Sequence, residues 1–470
     1  MTKFDSSYHT GYHLMPASVD AQSNGEMLAM KYEKNPRSKW FTREMRDSVT
    51  KFYYPDRTLL RSTYGVLKSG IFDVAPDSVF DYAVLTNPKV YADLGYRYAM
   101  ISPPHMGYRK VPLRNPHLRL FADSGGFQIR QGVTDFVDPD TLIDFYNEST
   151  DVGIGLDVPM HPLLYDDFLA RMAHVASRNN KYIKAGLNEH VSLYDLNHGM
   201  DIKDRKVFLD VTEQYEPNDG IALAGTSSKA RGEYGVSAHI VNGVVGIAYV
   251  LARSKGRYKT AHILGTTTPF YMFVFHYMTK VGFFPHITSD SSTYAQAAMM
   301  NTQMTSVPGH SVLYRNTLPK GDVLWQTPCP CPICSLAKYS HHLVVNARAN
   351  IVHGLYHFAY LDAIISTATE DFIAGRMKMS ELEKLISPPT FNHQHFKGLM
   401  AFLQDLGTMP FGKAYKKNER FIDAMLGKNT KKSLFGGKGK KAAAAPHEDR
   451  VRTDKVLASY EKWQKKKGIK

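Results

Sequence analysis

LRLFADSGGFQIRQGVTDFVDPDTLIDFYNESTDVGIGLDVP, residues 118–159, holds the pattern from which the fold is read. A short apolar run, LRLFADSG (118–125), ends in an acid followed by small residues. A helix-like segment covers Asp140–Glu148, and a second β-rich run, GIGLDVP (153–159), brings another acid. Strand, helix and strand in that order make the unit of a parallel sheet. The same alternation extends both ways, through DYAVLT (81–86), YRYAMIS (96–102), GIALAG (220–225), AHILGT (261–266) and HITSDS (286–291). Helix-like stretches lie between, among them Asp167–Lys184 and Pro269–Val281. This predicts an α/β fold with a parallel sheet, open or closed into a barrel, whose strands end in Asp or Gly where a barrel keeps its chemistry.

Around that core the chain divides in three. Residues 1–75 are polar and rich in Tyr, Lys and Arg, and read as an irregular, partly helical N-terminal extension. Residues 76–410 carry the barrel, with a long helical stretch over His341–Ile386 that contains no proline. Residues 411–470 read as a basic, partly flexible tail. Within it, GKNTKKSLFGGKGKKAAAAP (427–446) is low in complexity, and 448–467 predicts a basic amphipathic helix with Val456, Leu457, Tyr460 and Trp463 on one face.

Composition narrows the function classes. The chain has 470 residues, 43% hydrophobic and 22% charged, enough to bury a large core. Its longest apolar run, Gly243–Ala252, falls short of the ~18 residues a membrane span requires. The start, MTKFDSSYHT, lacks an apolar signal region, so the expectation is a soluble cytoplasmic protein. The net charge is +14, and residues 412–470 carry 18 Lys or Arg against 6 Asp or Glu, or +12. The remainder, 40 basic against 38 acidic residues, is nearly neutral. A localised positive segment suits a polyanion, most simply nucleic acid; the plainer alternative is a solubilising terminus.

The chain has three cysteines, Cys329, Cys331 and Cys334, within six residues. An odd number packed so closely does not make a disulfide framework. Three thiolates leave a tetrahedral Zn²⁺ one ligand short, and His341, His342, His353 and His357 follow on a helix-like stretch. A closed Cys₃His site is structural, with no open position for substrate.

Three acids lie at the ends of strand-like runs: Asp123 in DSGGFQ, Asp157 in GLDVP and Asp290 after HITS. Singly, each reads as a helix or turn cap. Together, on separate strands of one barrel, they converge on one cleft. A carboxylate pair at a sugar carbon suits glycosyl transfer, one acting as nucleophile and one as acid. The third can accept hydrogen bonds from a purine-like edge.

The ordered set DSGGFQ (123–128), LDVP (156–159), ALAG (222–225), ILGTTTP (263–269), DSSTYA (290–295) and CPCPIC with a downstream histidine resembles the tRNA-guanine transglycosylase superfamily. The resemblance covers about Asp81–Ile365. It implies a (β/α)8 barrel with an inserted zinc-binding subdomain at about 325–360. It implies Asp290 as the nucleophile that attacks C1′ and Asp123 as the general acid/base. Asp157, with the backbone at Gly225 and Thr226, would read the purine edge. Phe127 and Leu264 would sandwich the heterocycle, with Ser124 lining the same pocket. Cys329, Cys331, Cys334 and His357 would be the ligands of a structural Zn²⁺.

Departures from the family pattern point to a branch. The Val-Gln-Gly-Gly strand end has no clear counterpart, the nearest stretch being FLDVTEQ (208–214). After the barrel comes a short basic tail instead of an archaeal RNA-binding module. These features favour the DNA-guanine transglycosylases of phages and bacterial DNA-modification islands, which place 7-deazaguanine bases such as 7-cyano-7-deazaguanine in DNA. The expected partners are therefore DNA, guanine and a 7-deazaguanine base, with no membrane, and an oligomer is left open. The alternatives are a transglycosylase acting on tRNA and a non-catalytic nucleic-acid-binding subunit of the same superfamily.

Overall fold

A computed structural model describes residues 11–16, 97–103, 119–126, 129, 136–157, 166–199, 201–226, 236–291, 302–305, 314–317, 347–388, 390–425 and 447–469. Eight strands form one parallel sheet: β1 (Gly11–Pro16), β2 (Tyr98–Ile101), β3 (Arg119–Ala122), β4 (Val152–Ile154), β5 (Ser192–His198), β6 (Gly220–Ala224), β7 (Thr260–Ile263) and β8 (His286–Ser291). Their order is β1-β8-β7-β6-β5-β4-β3-β2, and every neighbouring pair is parallel. The sheet curls until β1 and β2, the two ends of that order, lie side by side. The result is an α/β fold with a nearly closed, TIM-like parallel barrel. A two-stranded antiparallel ribbon, β9 (Thr302–Thr305) and β10 (Tyr314–Thr317), follows the last barrel strand.

The first strand comes from the segment read as an irregular extension. Gly11–Pro16 pairs with His286–Ser291 in register, setting Met15 opposite Asp290. DYAVLT (81–86), read as a strand, lies outside the described residues. The barrel interior is aromatic and polar rather than aliphatic. Phe121 meets Tyr98, Tyr194 and His262 with ring centroids 5.6–5.9 Å apart, and Tyr98 meets His286 at 6.0 Å. Such edge-on and tilted contacts fill the core while leaving imidazoles in place to serve the strand ends above.

Helices cover the strands: α1 (Pro139–Ser149), α2 (Asp166–Gly186), α3 (Ile202–Thr212), α4 (Val236–Ser254) and α5 (Pro269–Lys280). Local chemistry starts several of them. Pro139 opens α1 after Asp138, Asp201 accepts the Asp204 N–H at 2.9 Å to cap α3, and Thr268 caps α5 with Pro269 at the first helical position. The long helical stretch divides into α6 (Ala347–Ile373) and α7 (Met379–Ile386). The break falls at Ala374–Gly375, where the Gly375 and Arg376 N–H groups return to the Phe372 and Asp371 carbonyls and close the helix end.

In the C-terminal segment two helices pack on the rest of the described fold, and the low-complexity stretch 427–446 lies outside the described residues. After α8 (His393–Leu406), α9 (Phe411–Met425) packs on α4 and α8, with Phe411 against Tyr249 at 5.7 Å and Phe402 at 6.2 Å. α10 (His447–Lys466) lies on α2, burying Val456, Leu457 and Tyr460, the apolar face expected from its spacing. Arg171 holds both Glu461 oxygens and Asp454, each at 2.6 Å, and Gln464 donates to the Val175 carbonyl and to Asn179. The Tyr460 hydroxyl accepts the Val137 N–H at 3.1 Å and lies 3.2 Å from the Val137 carbonyl. Tyr460→Phe should therefore leave the buried Val137 N–H unpaired and cost about 1–3 kcal/mol in chemical denaturation.

Candidate active site

The C-terminal ends of the strands all open on one face, and the candidate residues lie at or just beyond them. Asp123 follows β3. Its backbone N–H pairs with the Ile101 carbonyl, and its carbonyl shares the Tyr146 hydroxyl with that of Ile154, so the ends of β2, β3 and β4 are tied together. Its Oδ1 accepts the Ser102 hydroxyl at 2.8 Å and the Gly125 N–H at 3.0 Å. Burial pushes the Asp123 carboxyl up to about 7, against the pull of those two donors, and the charge of Asp290 adds to the rise. A carboxyl with that value holds a proton near neutral pH and can return it, the requirement for a general acid/base.

Asp290 lies on β8 with 9% of its surface exposed. Its Oδ1 accepts the Gly265 N–H at 2.7 Å, and His262 Nε2 stands 3.3 Å from the same oxygen. Both acids thus have one oxygen tied to the scaffold, and neither Oδ2 has a partner among the described residues.

Asp157 is the third acid at this face. Ser124, almost wholly buried, donates its hydroxyl to the Gly155 carbonyl at 3.0 Å and accepts the Asp157 N–H at 2.7 Å. It therefore staples the β3 and β4 loops together. Asn180 of α2 supports the same loop by accepting the Leu156 N–H. Gly126 is packed directly on Asp157: a Cβ there would fall 2.5–2.6 Å from its Cγ and Cβ. Gly126→Ala should therefore displace Asp157 and cost about 1–3 kcal/mol of stability, which thermal melting would show.

Gly225 and Thr226 follow β6. Gly225 has φ +84°, and a Cβ would meet the Gly199 carbonyl at 2.9 Å and His198 Nδ1 at 3.1 Å, so glycine is required for this approach. Behind it Arg205, wholly buried, donates to Thr226 Oγ1 at 2.7 Å, to the Ala224 carbonyl at 3.3 Å and to Asn197 Oδ1 at 3.0 Å. Burial lowers the Arg205 guanidinium to about 10, leaving it charged at neutral pH. Its hydrogen bonds fix the strand end that presents Gly225. His198 ends β5, with Nε2 3.4 Å from Asp157 Oδ1. Leu264, half-buried, follows β7 and is tied to Leu223 by its backbone N–H.

The structure thus brings Asp123, Ser124, Asp157, Gly225, Thr226, Leu264 and Asp290 to one end of one barrel. Phe127, Cys329, Cys331 and Cys334 lie outside the described residues. His357 falls on α6, but its side chain lies outside them too. FLDVTEQ (208–214) is not a strand end: it lies in and just after α3, because Phe208 and Leu209 pack as a helical face. The strand between β4 and β6 is Ser192–His198, which ends in His198–Gly199. Ser102, His198, Arg205 and His262 are the neighbours that motif reading passed over. Neither a family model nor a curated protein sequence matches the chain.

Proposed function

We propose that the protein is a guanine transglycosylase that exchanges guanine in DNA for a 7-deazaguanine base through a covalent glycosyl–enzyme intermediate. The observation that carries this reading is the pair of acids at the ends of β3 and β8: Asp123, with its proton held near neutrality, and Asp290, with Oδ1 anchored and Oδ2 unpartnered among the described residues. They stand in the motifs DSGGFQ and DSSTYA, in the order the superfamily resemblance requires.

In this reading Asp290 attacks C1′ of the target nucleotide. The bond from C1′ to the guanine nitrogen breaks, its electron pair leaves with the base, and the base takes the Asp123 proton. The incoming 7-deazaguanine gives a proton to the Asp123 carboxylate as its nitrogen attacks C1′, and the Asp290 carboxylate departs with the electron pair of the ester bond. Asp157, with the backbone at Gly225 and Thr226, orients either base, and Phe127 and Leu264 cover its faces. A target in duplex DNA is flipped out of the stack, because C1′ and the base edges are otherwise shielded.

The basic C-terminal segment, +12 over residues 412–470, supports a polyanionic substrate. Cys329, Cys331, Cys334 and His357 supply the three-thiolate, one-imidazole donor set of a closed zinc site, whose part is structural. One zinc per chain is expected, and chelation should lower the melting temperature. His357→Ala should cut the metal content; a full zinc complement in that variant would move the fourth ligand elsewhere, first to His353.

Labelled guanine incubated with the pure protein and duplex DNA, single-stranded DNA or tRNA tests the reading. Incorporation into DNA is expected. Incorporation into tRNA alone would keep the chemistry and replace the substrate. Incorporation into none of them by folded protein would leave a non-catalytic binding subunit.

A further inference from the structure

His262 projects from β7 into the barrel interior, wholly buried, beneath Asp290. Its two ring nitrogens have separate neighbours. Nε2 lies 3.3 Å from Asp290 Oδ1, in contact but not aligned as a hydrogen bond, and Nδ1 is hydrogen-bonded to Thr288 Oγ1 at 2.8 Å. The Thr288 hydroxyl has one proton and two acceptors within reach, His262 Nδ1 at 2.8 Å and the Ala261 carbonyl at 3.3 Å. The shorter contact takes the proton. Nδ1 is then an acceptor, and the neutral imidazole carries its own proton on Nε2, facing Asp290. The arrangement needs no extra charge in a buried interior.

We propose that His262 is a positioning residue for Asp290: Thr288 fixes its tautomer, its Nε2–H stands against Oδ1 beside the Gly265 N–H and closes on it as negative charge grows there, and Oδ2 is left to face the substrate. The catalytic consequence rests on the transglycosylase reading; the tautomer does not. When Oδ2 bonds to C1′ and the base leaves with the electron pair, Oδ1 becomes the carbonyl oxygen of an ester. When the incoming base displaces that ester, the electron pair returns to the carboxylate. The two donors at Oδ1 then meet growing negative charge, as oriented donors do in an oxyanion site. Loss of the His262 donor therefore slows ester breakdown more than ester formation, so the covalent adduct accumulates.

Two measurements on the full chain test this. Ring nitrogen shifts of the histidines, with the His262 signal assigned by its loss in His262→Phe, should show the Nε2–H tautomer in the wild type. Thr288→Val should shift His262 toward Nδ1–H, and Thr288→Ser should preserve the wild-type state. In guanine exchange, His262→Phe and Thr288→Val should lower kcat, the former by about 10²-fold, the usual cost of one oriented donor. KM for guanine should stay nearly constant while adduct builds up, and Thr288→Ser should exchange normally. An Nδ1–H tautomer in the wild type overturns the proposal. So does normal exchange in both His262→Phe and Thr288→Val. The Nε2–H tautomer in a wild type that exchanges no guanine upholds the geometry and overturns the transglycosylase reading instead.

Discussion

Asp290→Asn should abolish guanine exchange, with a loss of about 10⁴-fold or more, the scale seen when a nucleophile is removed from a preorganised site. An amide oxygen is a very poor nucleophile toward C1′, yet it has nearly the shape of the carboxylate. The Gly265 N–H that meets Oδ1 at 2.7 Å can still meet an amide oxygen. Folding and nucleic-acid binding should therefore survive, and the loss should fall on kcat. A denaturing gel should show no protein–nucleic acid adduct in this variant. An adduct of wild-type intensity in Asp290→Asn would mean that another residue attacks.

Asp123→Asn should separate activity from stability in opposite directions. On the proposed mechanism guanine release needs the protonated carboxyl, so adduct formation in the wild type should fall about tenfold per pH unit above about 7. Transfer to the incoming base needs the carboxylate, so that half-reaction should fall as pH drops below the same value. The variant should lose both limbs, with activity down by about 10²–10⁴-fold. Its stability should move the other way. Between the ordinary carboxylate value of 3.8 and about 7, the folded state holds a proton that the unfolded chain has lost. Wild-type stability therefore declines as pH rises through that window and levels off above it. The amide removes this cost while keeping an oxygen for Ser102 and Gly125. At pH 8 the variant should be more stable by on the order of 3 kcal/mol, a difference that vanishes near pH 4. Denaturant titrations of both proteins at pH 4, 6 and 8 would show it; equal stability at all three would mean that Asp123 is not held protonated by the fold.

Much of the barrel could be read because its strands announce themselves where they are apolar and short. HITSDS coincides with β8, LRLFADSG and GIALAG contain β3 and β6, and AHILGT covers β7 except for Thr260. β5 escaped because SLYDLNH has no apolar run. Its polar residues are buried in specific bonds, Asp195 to Tyr258 and Asn218, and Asn197 to Arg205. Such pairing is a tertiary fact that periodicity cannot carry. β1 escaped for a similar reason: six residues gain a strand's hydrogen bonds only when β8 is beside them. The three acids were legible because each follows or ends a strand. Ser102, Arg205 and His262 were not, since a buried serine, arginine or histidine acquires meaning only from the atom it faces. The C-terminal helix shows the limit of charge arithmetic. Its amphipathic spacing was visible, but the partner of its apolar face, α2, lies more than 280 residues earlier in the chain.

Packing of α9 and α10 against the barrel also changes how the basic segment should be tested. Deleting residues 412–470 would strip buried Val456, Leu457 and Tyr460 from the body along with the charge. Neutralising exposed lysines, such as Lys455, Lys462 and Lys465, leaves that packing intact and isolates the electrostatic contribution.

The covalent intermediate is the most direct test. The full-length protein, mixed with a short DNA duplex and quenched in acid during turnover, would be weighed intact and then digested. The account predicts a protein species heavier by the DNA strand less one guanine, with the modified peptide containing Asp290, formed while guanine is released and discharged when guanine or 7-cyano-7-deazaguanine is added. Exchange of labelled guanine with no such species, or an adduct carried by any residue other than Asp290, would contradict it.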